Sequence, residues 1–267
     1  MACNKALSAV ACTFEFTNNA NEDLYLLKRG TPLEGLFSQF LTVSVAGSPI
    51  EYDGIFAHRL PPTKDEFVLL KAGEGISASV QITDAFSIDT DGLYTVQYSR
   101  PLLYLTVDEM TNNQQILDAH RLLCNGIDRI RIGNNYLYQK WFGAYTRQRA
   151  FRVFDVYNRI KGGLAGYAVT YVNGGPYCKP SWYGYTYRGY STTTVWICNA
   201  FYAFPVSCGS PGTYTKEFGL IHEWSHAFGN TFDHVYGFIQ SQDLARFYPD
   251  TAVDNADNYG WNYCEWQ

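Results

Sequence analysis

The sequence carries little charge of either sign. Of its 267 residues 17% are charged, with 20 Lys and Arg against 25 Asp and Glu, and the formal net charge is -5. A chain without a broad basic surface neutralises few phosphates, so nucleic acid is a poor partner. The 46% of hydrophobic residues, 17% aromatic ones among them, are enough to bury a core. A globular protein that depends on neutral polar groups for solubility is typical of secreted proteins.

Two further features are missing. No stretch approaches the run of about 18 apolar residues that a membrane span needs, and no cysteine pair has the CxxC spacing of a cysteine zinc site. The seven cysteines therefore favour disulfide bonds in an oxidising compartment. Their odd number leaves at least one thiol free, and Cys3 and Cys12 either bond to each other or stay separate. We expect an extracellular, monomeric protein.

The first part of the chain predicts strands. From Cys12 to about Leu105, short apolar runs such as FLTVSV and YTVQY alternate with turn signals such as KRGTP and DTDG. Several strands at this spacing predict a small β-sandwich of the immunoglobulin-like type over residues 1–105.

The pattern changes after RPLLYLTVDEM. Apolar residues at helical spacing predict a helix over residues 111–132, opened by Thr111, and a second over residues 145–160, ended by Gly162 and Gly163. The inward stripes are predicted at Ile116, Ala119, Leu123, Ile127 and Ile130, and at Val153, Phe154, Tyr157 and Ile160. The Tyr-rich residues 166–204 predict irregular strands, so the second part, residues 106–267, is expected to be α+β.

The segment LIHEWSHAFGNTFDHVYG, residues 220–237, holds three of the five histidines. His222, Glu223 and His226 form the pattern HExxH, within a segment whose apolar residues predict a helix. Residues four apart project from the same side of a helix, so the two histidines can bind one Zn²⁺ ion. Glu223 is then the candidate general base for a zinc-activated water, and a third protein ligand must exist. The alternative is a pair of surface histidines on an amphipathic helix.

The third ligand is sought just after this helix. Gly229 and Asn230 can end the helix and turn the chain back past the metal. Asp233, His234 and, as the weakest candidate, Tyr236 then lie within reach.

The segment HEWSHAFGNTFDHVYG resembles the aspzincin metallopeptidases, the family of deuterolysin and peptidyl-Lys metalloendopeptidase, whose pattern is HExxH followed by GTxDxxYG. The matching residues of the second half are Thr231, Asp233, Tyr236 and Gly237, and Asn230 stands where the pattern has its first glycine. The resemblance implies that Asp233 is the third zinc ligand and that Tyr236 donates its phenolic proton to the oxyanion. His234 falls at a variable position and is interpreted as a surface histidine. Thr231 is expected either to orient Asp233 through its hydroxyl or to be only a turn residue.

The resemblance covers nearly the whole chain. YQKWFGAY, VWICNAFY and DTAVDNADNYGW resemble family segments between residues 108 and 267, and residues 13–101 resemble the β-sandwich prosegment found ahead of such catalytic domains. The implied fold is α+β: a sandwich over residues 1–105, as a prosegment or accessory domain, and a zincin-type peptidase domain over residues 106–267.

One departure concerns specificity. Family members that cut before lysine place two acids near the pocket for the residue after the scissile bond. Asp257 matches the first acid and is the expected substrate-binding residue, whereas Gly260 stands at the second. A preference for basic residues is therefore expected, but not strict lysine specificity.

The resemblance also implies a disulfide bond between Cys178 and Cys198, and Cys208 with Cys264 is the second expected pair. Cys124 lies on the inward stripe of the first predicted helix and is interpreted as an inert core thiol.

Three hypotheses compete. The favoured one is a secreted zinc-dependent endopeptidase that acts on proteins or peptides. The alternative is a zymogen-like or inactive binding protein in which the β-sandwich covers the cleft. A structural protein with an accidental HExxH is disfavoured, because Glu223, Asp233 and Tyr236 occur together.

Overall fold

The computed structural model describes residues 1–6, 9–55, 62–89, 91–189 and 192–267. Two compact units make up the chain, Met1–Thr111 and Asn112–Gln267. The boundary near residue 105, between an accessory or prosegment domain and a peptidase domain, stays a prediction. None of the helices in the described ranges combines the length and apolarity that crossing a membrane requires.

The described part of the first unit is built from short strands. Their bounds are β1 Ala2–Ala6, β2 Ala9–Thr17, β3 Leu24–Leu27, β4 Leu41–Val45, β5 Ser48–Ile50, β6 Phe67–Leu70, β7 Gly75–Gln81, β8 Tyr94–Tyr98 and β9 Tyr104–Thr106. They pair antiparallel into three sheets, with orders β1-β2-β7, β6-β3-β9 and β5-β4-β8. An immunoglobulin-like sandwich is not confirmed by this pairing. Buried side chains such as Phe14, Leu41 and Val43 form the core of the unit, and Leu41 and Val43 alternate along β4.

The second unit is mixed α and β, as predicted. Its elements are α1 Val107–Gly126, which begins in the first unit, α2 Tyr136–Phe142, α3 Arg147–Gly166, β10 Thr170–Asn173, β11 Gly184–Tyr185, β12 Thr194–Ile197, α4 Lys216–Ala227, α5 Phe238–Phe247, α6 Pro249–Ala252 and α7 Ala256–Glu265. The three strands form a sheet of order β10-β12-β11, in which β11 is an antiparallel edge strand. Residues 190 and 191, within the region predicted as irregular strands, lie outside the described residues.

Helix α1 begins earlier than predicted. Thr106 and Glu109 form a reciprocal capping box: the Glu109 N–H donates to Thr106 Oγ1 at 3.1 Å, and the Thr106 N–H donates to Glu109 Oε2 at 2.9 Å. Thr111, predicted as the N-cap, lies inside the helix, where its hydroxyl donates to the Val107 carbonyl. The α-helix ends at Gly126 and a 3₁₀ turn follows.

Helix α3 runs past the glycines that were expected to stop it. Gly162 and Gly163 lie within the helix, and a Cβ added at Gly163 would come within 2.6 Å of the Phe228 ring. The glycine therefore allows α3 to pack closely rather than ending it. The predicted inward position of Phe154 is wrong, since its side chain is 54% exposed. The buried face of α3 is formed by Val153, Val156, Tyr157 and Ile160.

Six of the seven cysteines are paired. Cys178–Cys198 and Cys208–Cys264 are disulfide-bonded as expected, and Cys3 is bonded to Cys12 across the β1–β2 pair. The prediction for Cys124 is wrong, because its thiol is exposed and the neighbouring Leu123 takes the buried position.

Candidate metal centre

Helix α4 carries the HExxH pattern through the core of the second unit. Thr215 caps it by accepting a hydrogen bond from the Phe218 N–H at 3.1 Å. Every residue of α4 is buried, so its polar side chains need partners within the protein. His222 and His226 lie one turn apart and reach the same cleft.

The turn after α4 brings the chain back past these histidines. The Asn230 N–H donates to the His226 carbonyl, which is the single bond of the αL motif. The Thr231 N–H donates to the Ser225 carbonyl. Asn230 has φ +58°, and asparagine is among the few residues that tolerate this left-handed conformation. It therefore takes over the structural task of the glycine in the GTxDxxYG pattern.

Three possible ligand atoms meet at the open side of α4. His222 Nε2 and His226 Nε2 lie 3.2 Å apart, and Asp233 Oδ1 lies 3.2 Å from each of them. These three residues form the one group of at least three metal-ligating side chains within the described ranges.

The other ring nitrogens fix how these imidazoles are protonated. His226 Nδ1 lies 2.9 Å from the Thr231 carbonyl oxygen, and His222 Nδ1 lies 2.8 Å from Asp257 Oδ1. Both oxygens only accept hydrogen bonds, so each neutral imidazole carries its proton on Nδ1. Two Nε2 lone pairs then face each other and the Asp233 carboxylate. This arrangement fits a divalent cation bound by two neutral histidines and a carboxylate.

Glu223 projects into the same cleft, with 6% of the residue exposed. Burial raises the pKa of its carboxyl, although the nearby imidazoles oppose the shift in part. A Cβ added at Gly184 of β11 would lie 3.7 Å from Glu223 Oε1. The edge strand thus passes over the carboxylate without a side chain between them.

Asp233 and Tyr236 lie on the loop between α4 and α5. Burial by itself raises the pKa of Asp233, but in the metal-free protein the hydrogen bonds and positive charge that protonated imidazoles bring outweigh burial and hold that pKa well below its usual range. A bound cation takes the place of those protons. The Tyr236 ring stacks on His222 at 6.1 Å between centroids. Burial and the Asp233 carboxylate raise the pKa of the Tyr236 phenol, so it keeps its proton in the neutral pH range.

The remaining predicted residues take different positions. Asp257 is 1% exposed, and besides bonding His222 its Oδ2 accepts from the Gly237 N–H at 2.7 Å. Thr231 places its hydroxyl on Ser225 Oγ at 2.8 Å and on His226, not on Asp233. His234 turns away from the imidazoles, with Nε2 3.7 Å from Asp254 Oδ2.

A cleft of about 540 Å³ opens over the centre. Its wall is rich in aromatic rings, contributed by Trp182, Tyr183, Tyr185, Tyr214, Phe218 and Tyr236. It also carries the carboxylates of Glu223, Asp233 and Asp257, and its described lining includes no Lys or Arg. Tyr187, two residues after Tyr185, packs edge-on against Trp196.

Sequence reasoning missed several residues of this site. Tyr214 and Phe218 line the cleft, and Asn255 contacts the loop that carries Asp233. The polar run DNADN, residues 254–258, marks Asn255 as a candidate site residue. The run alone does not reveal which backbone groups bond to its side-chain amide.

Comparison with known proteins gives consistent matches. The aspzincin family, described as lysine-specific metallo-endopeptidase, matches residues 131–264. An extracellular protease of Aeromonas hydrophila is 24% identical over an alignment that spans 94% of this chain and 86% of the relative. A peptidyl-Lys metalloendopeptidase of Pleurotus ostreatus is 35% identical over 46% of this chain and 69% of its own length. The solved zinc peptidase of Grifola frondosa is 25% identical, with a TM-score of 0.50, over 58% of this chain and 95% of its own.

Proposed function

The chain belongs to the aspzincin family of metallo-endopeptidases, and we propose that it is a secreted zinc endopeptidase whose ion is bound by His222, His226 and Asp233. The observation that carries the proposal is the convergence of three lone-pair atoms, with Asp233 Oδ1 3.2 Å from both Nε2 atoms. When bound, zinc supplies a Lewis acid for the scissile carbonyl and lowers the pKa of a water molecule.

The protein's own groups supply the remaining chemistry. Glu223 accepts the proton of the attacking water on its carboxylate and passes it to the leaving amine, a general base and acid in turn. Its raised pKa strengthens it as a base. Tyr236 keeps its phenolic proton and donates a hydrogen bond to the oxyanion.

A preference for basic substrate side chains follows from the charges of the cleft. Three carboxylates and no described Lys or Arg line it, so the cleft stays net negative even with a bound Zn²⁺ ion, which favours a cationic side chain electrostatically. Asp257 stands at the first acid position of the pocket and Gly260 at the second. A Cβ added at Gly260 would meet the Phe218 ring at 2.6 Å, so Phe218 occupies the space that a second acid would need. Substrates with lysine or arginine after the scissile bond are then both expected to be cleaved. Cleavage rates of a peptide series that varies only this substrate residue measure the preference.

Secretion is supported by the disulfide bonds of both units and by the extracellular relative. Thiol titration of the unfolded, unreduced protein is expected to detect one free thiol per chain, that of Cys124.

The central experiment measures zinc content and casein hydrolysis in the wild type, Glu223→Gln and the exposed-site control Glu51→Gln. We expect about one zinc per chain in all three and a loss of about 10²- to 10⁴-fold in turnover in Glu223→Gln alone. A wild type without zinc would contradict the proposal. Zinc without hydrolysis in the wild type would favour the two-domain binding protein instead.

A further inference from the structure

Asn255 occupies the N-cap position of α7 but does not cap it. Asparagine in this position ordinarily accepts a hydrogen bond from a backbone N–H of the first helical turn. Here the side chain makes no such bond, although the residue is fully buried. Its amide is directed elsewhere.

The amide of Asn255 is saturated by other bonds. Its Oδ1 accepts from the His234 N–H at 2.8 Å and from the Val235 N–H at 3.1 Å. Its Nδ2 donates to the Val235 carbonyl at 3.2 Å and to Asn258 Oδ1 at 2.7 Å. A primary amide offers two donor hydrogens and two acceptor lone pairs, so its capacity is used in full. Three of the four bonds reach the two residues between Asp233 and Tyr236.

Neighbouring residues tie the same loop at both of its ends. The Phe232 N–H donates to the Asp254 carbonyl at 2.8 Å, and the Ala256 N–H donates to the Phe232 carbonyl at 2.9 Å. At the other end, the Gly237 N–H donates to Asp257 Oδ2 at 2.7 Å. The middle of the loop is held by Asn255. Because residues 232–234 are exposed, little apolar burial is available to fix their conformation.

We propose that Asn255 is a positioning residue of the metal centre: its amide holds the backbone of His234 and Val235 so that Asp233 and Tyr236 keep their places beside the imidazoles. The inference rests on the proposed function, because it assigns a role toward the bound ion. A ligand is effective only while its supporting bonds hold it in place. A shift of this loop removes Asp233 Oδ1 from its position 3.2 Å from each Nε2 atom.

The test compares Asn255→Ala and Asn255→Asp with Asn135→Ala in the full chain. Asn135 is a matched control, because its side chain caps α2 by accepting from the Tyr138 N–H and has no bond to the loop. Three properties are measured: zinc affinity by competition with a chromogenic chelator, hydrogen exchange of the His234 and Val235 amides without metal, and thermal unfolding.

For Asn255→Ala we expect zinc affinity to fall about 10- to 100-fold, with faster exchange at both amides and a loss in kcat larger than any change in KM. Asn255→Asp keeps the acceptor for both N–H groups but replaces the donor to the Val235 carbonyl and Asn258 Oδ1 by an oxygen. It is therefore expected to lower the unfolding temperature while retaining the protection of both amides and an affinity closer to that of the wild type than Asn255→Ala. Asn135→Ala is expected to lower the unfolding temperature without changing zinc affinity.

Each arm has an outcome against the proposal. A folded Asn255→Ala that binds zinc as tightly as Asn135→Ala would overturn it. If Asn255→Ala does not fold, Asn255→Asp decides, since lost zinc affinity with both amides still protected contradicts positioning through those bonds. A wild type that binds no zinc refutes the proposed function, whereas unchanged amide exchange in Asn255→Ala refutes only the role of Asn255.

Discussion

The two units differ in the polar groups they bury. Among the described residues of the first unit, the buried polar side chains are Asn18 and Thr31, and both satisfy turn backbone, Thr31 by donating to the Lys28 carbonyl at 2.7 Å. The second unit buries ionisable groups. They include Lys216, Glu217, His222, Glu223, His226 and Asp257.

This difference shows where the chemistry resides. Burying a charged group costs free energy unless hydrogen bonds or an opposite charge compensate it. In the second unit part of the compensation is structural: Glu217 accepts from the Tyr263 hydroxyl and from the Cys208 N–H, both at 2.6 Å. The histidines and Asp233 have one another as partners, and the proposed zinc ion would complete the set. Clustered buried ionisable groups in a cleft therefore mark the functional unit.

The largest expected effect is on the free energy of unfolding, and it is tested with one core substitution in each unit. Trp224 is fully buried on α4 and stacks on Phe228 at 5.0 Å between ring centroids, and Phe40 is fully buried in the first unit. Replacing either by alanine is expected to lower the free energy of unfolding of its own unit by about 3 to 5 kcal/mol. Zinc affinity should fall only in Trp224→Ala, because α4 carries both histidines.

Scanning calorimetry measures the stability of each variant. Competition with a chelator, at a temperature where both variants are folded, measures their zinc affinity. Equal losses of zinc affinity in the two variants would contradict the expectation that only the core of the second unit supports the metal centre.

The next effect concerns the carboxylate that joins the centre to α7. Asp257→Asn preserves the shape of the side chain but removes its charge and one of the two acceptors used by His222 and Gly237. We expect zinc affinity or kcat/KM to fall about 10- to 100-fold, with a loss of preference for basic substrates. Asp250→Asn is the control, since the Asp250 side chain is 85% exposed. An unchanged preference in Asp257→Asn would assign substrate recognition to other residues.

A smaller effect is expected for the buried polar residue of the first unit. Asn18 Nδ2 donates to the Leu70 carbonyl at 3.0 Å and to the Glu22 carbonyl at 2.8 Å. Asn18→Ala leaves these groups short of a partner, which is expected to lower the free energy of unfolding by about 1 to 3 kcal/mol. The exposed neighbour Asn19 provides the control, with Asn19→Ala expected within about 0.5 kcal/mol of the wild type. Denaturant unfolding measures both, and zinc affinity should be unchanged in each. A change in zinc affinity here would mean that the polar residues of the first unit also serve the centre.

The sequence predicts best what the period of a helix determines. Four-residue spacing was enough to bring His222 and His226 to one side of α4, and the buried stripe of α1 is confirmed at Ile116, Ala119 and Leu123. The start of α1 was misplaced because the capping box of Thr106 and Glu109 competes with a plausible cap at Thr111. Local pattern identifies a helix more securely than its ends.

The predictions that depend on distant contacts were weaker. Strand pairing in the first unit joins strands that are far apart in the sequence, such as β3 and β9. The alternation of apolar residues does not specify which strands pair. Gly163 was interpreted as a helix stop because its role, close packing against Phe228, is tertiary. The amide of Asn255 was likewise missed, since its partners lie 20 and 21 residues away.

The smallest expected effect is the acid response of the first unit. The hydrogen bond from Arg29 to Glu66, with Nε to Oε1 at 2.5 Å, lowers the pKa of the Glu66 carboxyl from its ordinary value near 4.5 to about 2. A carboxyl with a lowered pKa stabilises the folded state fully above its unfolded value, and the contribution is lost as pH falls from about 4.5 towards 2. Because the pair is partly exposed, we expect no more than about 1 kcal/mol. The difference in free energy of unfolding between the wild type and Glu66→Gln should therefore shrink over this range. A difference that stays constant or grows as the pH falls would contradict stabilisation by the ionised Glu66 carboxylate, and the first unit would then owe no part of its stability to this ion pair.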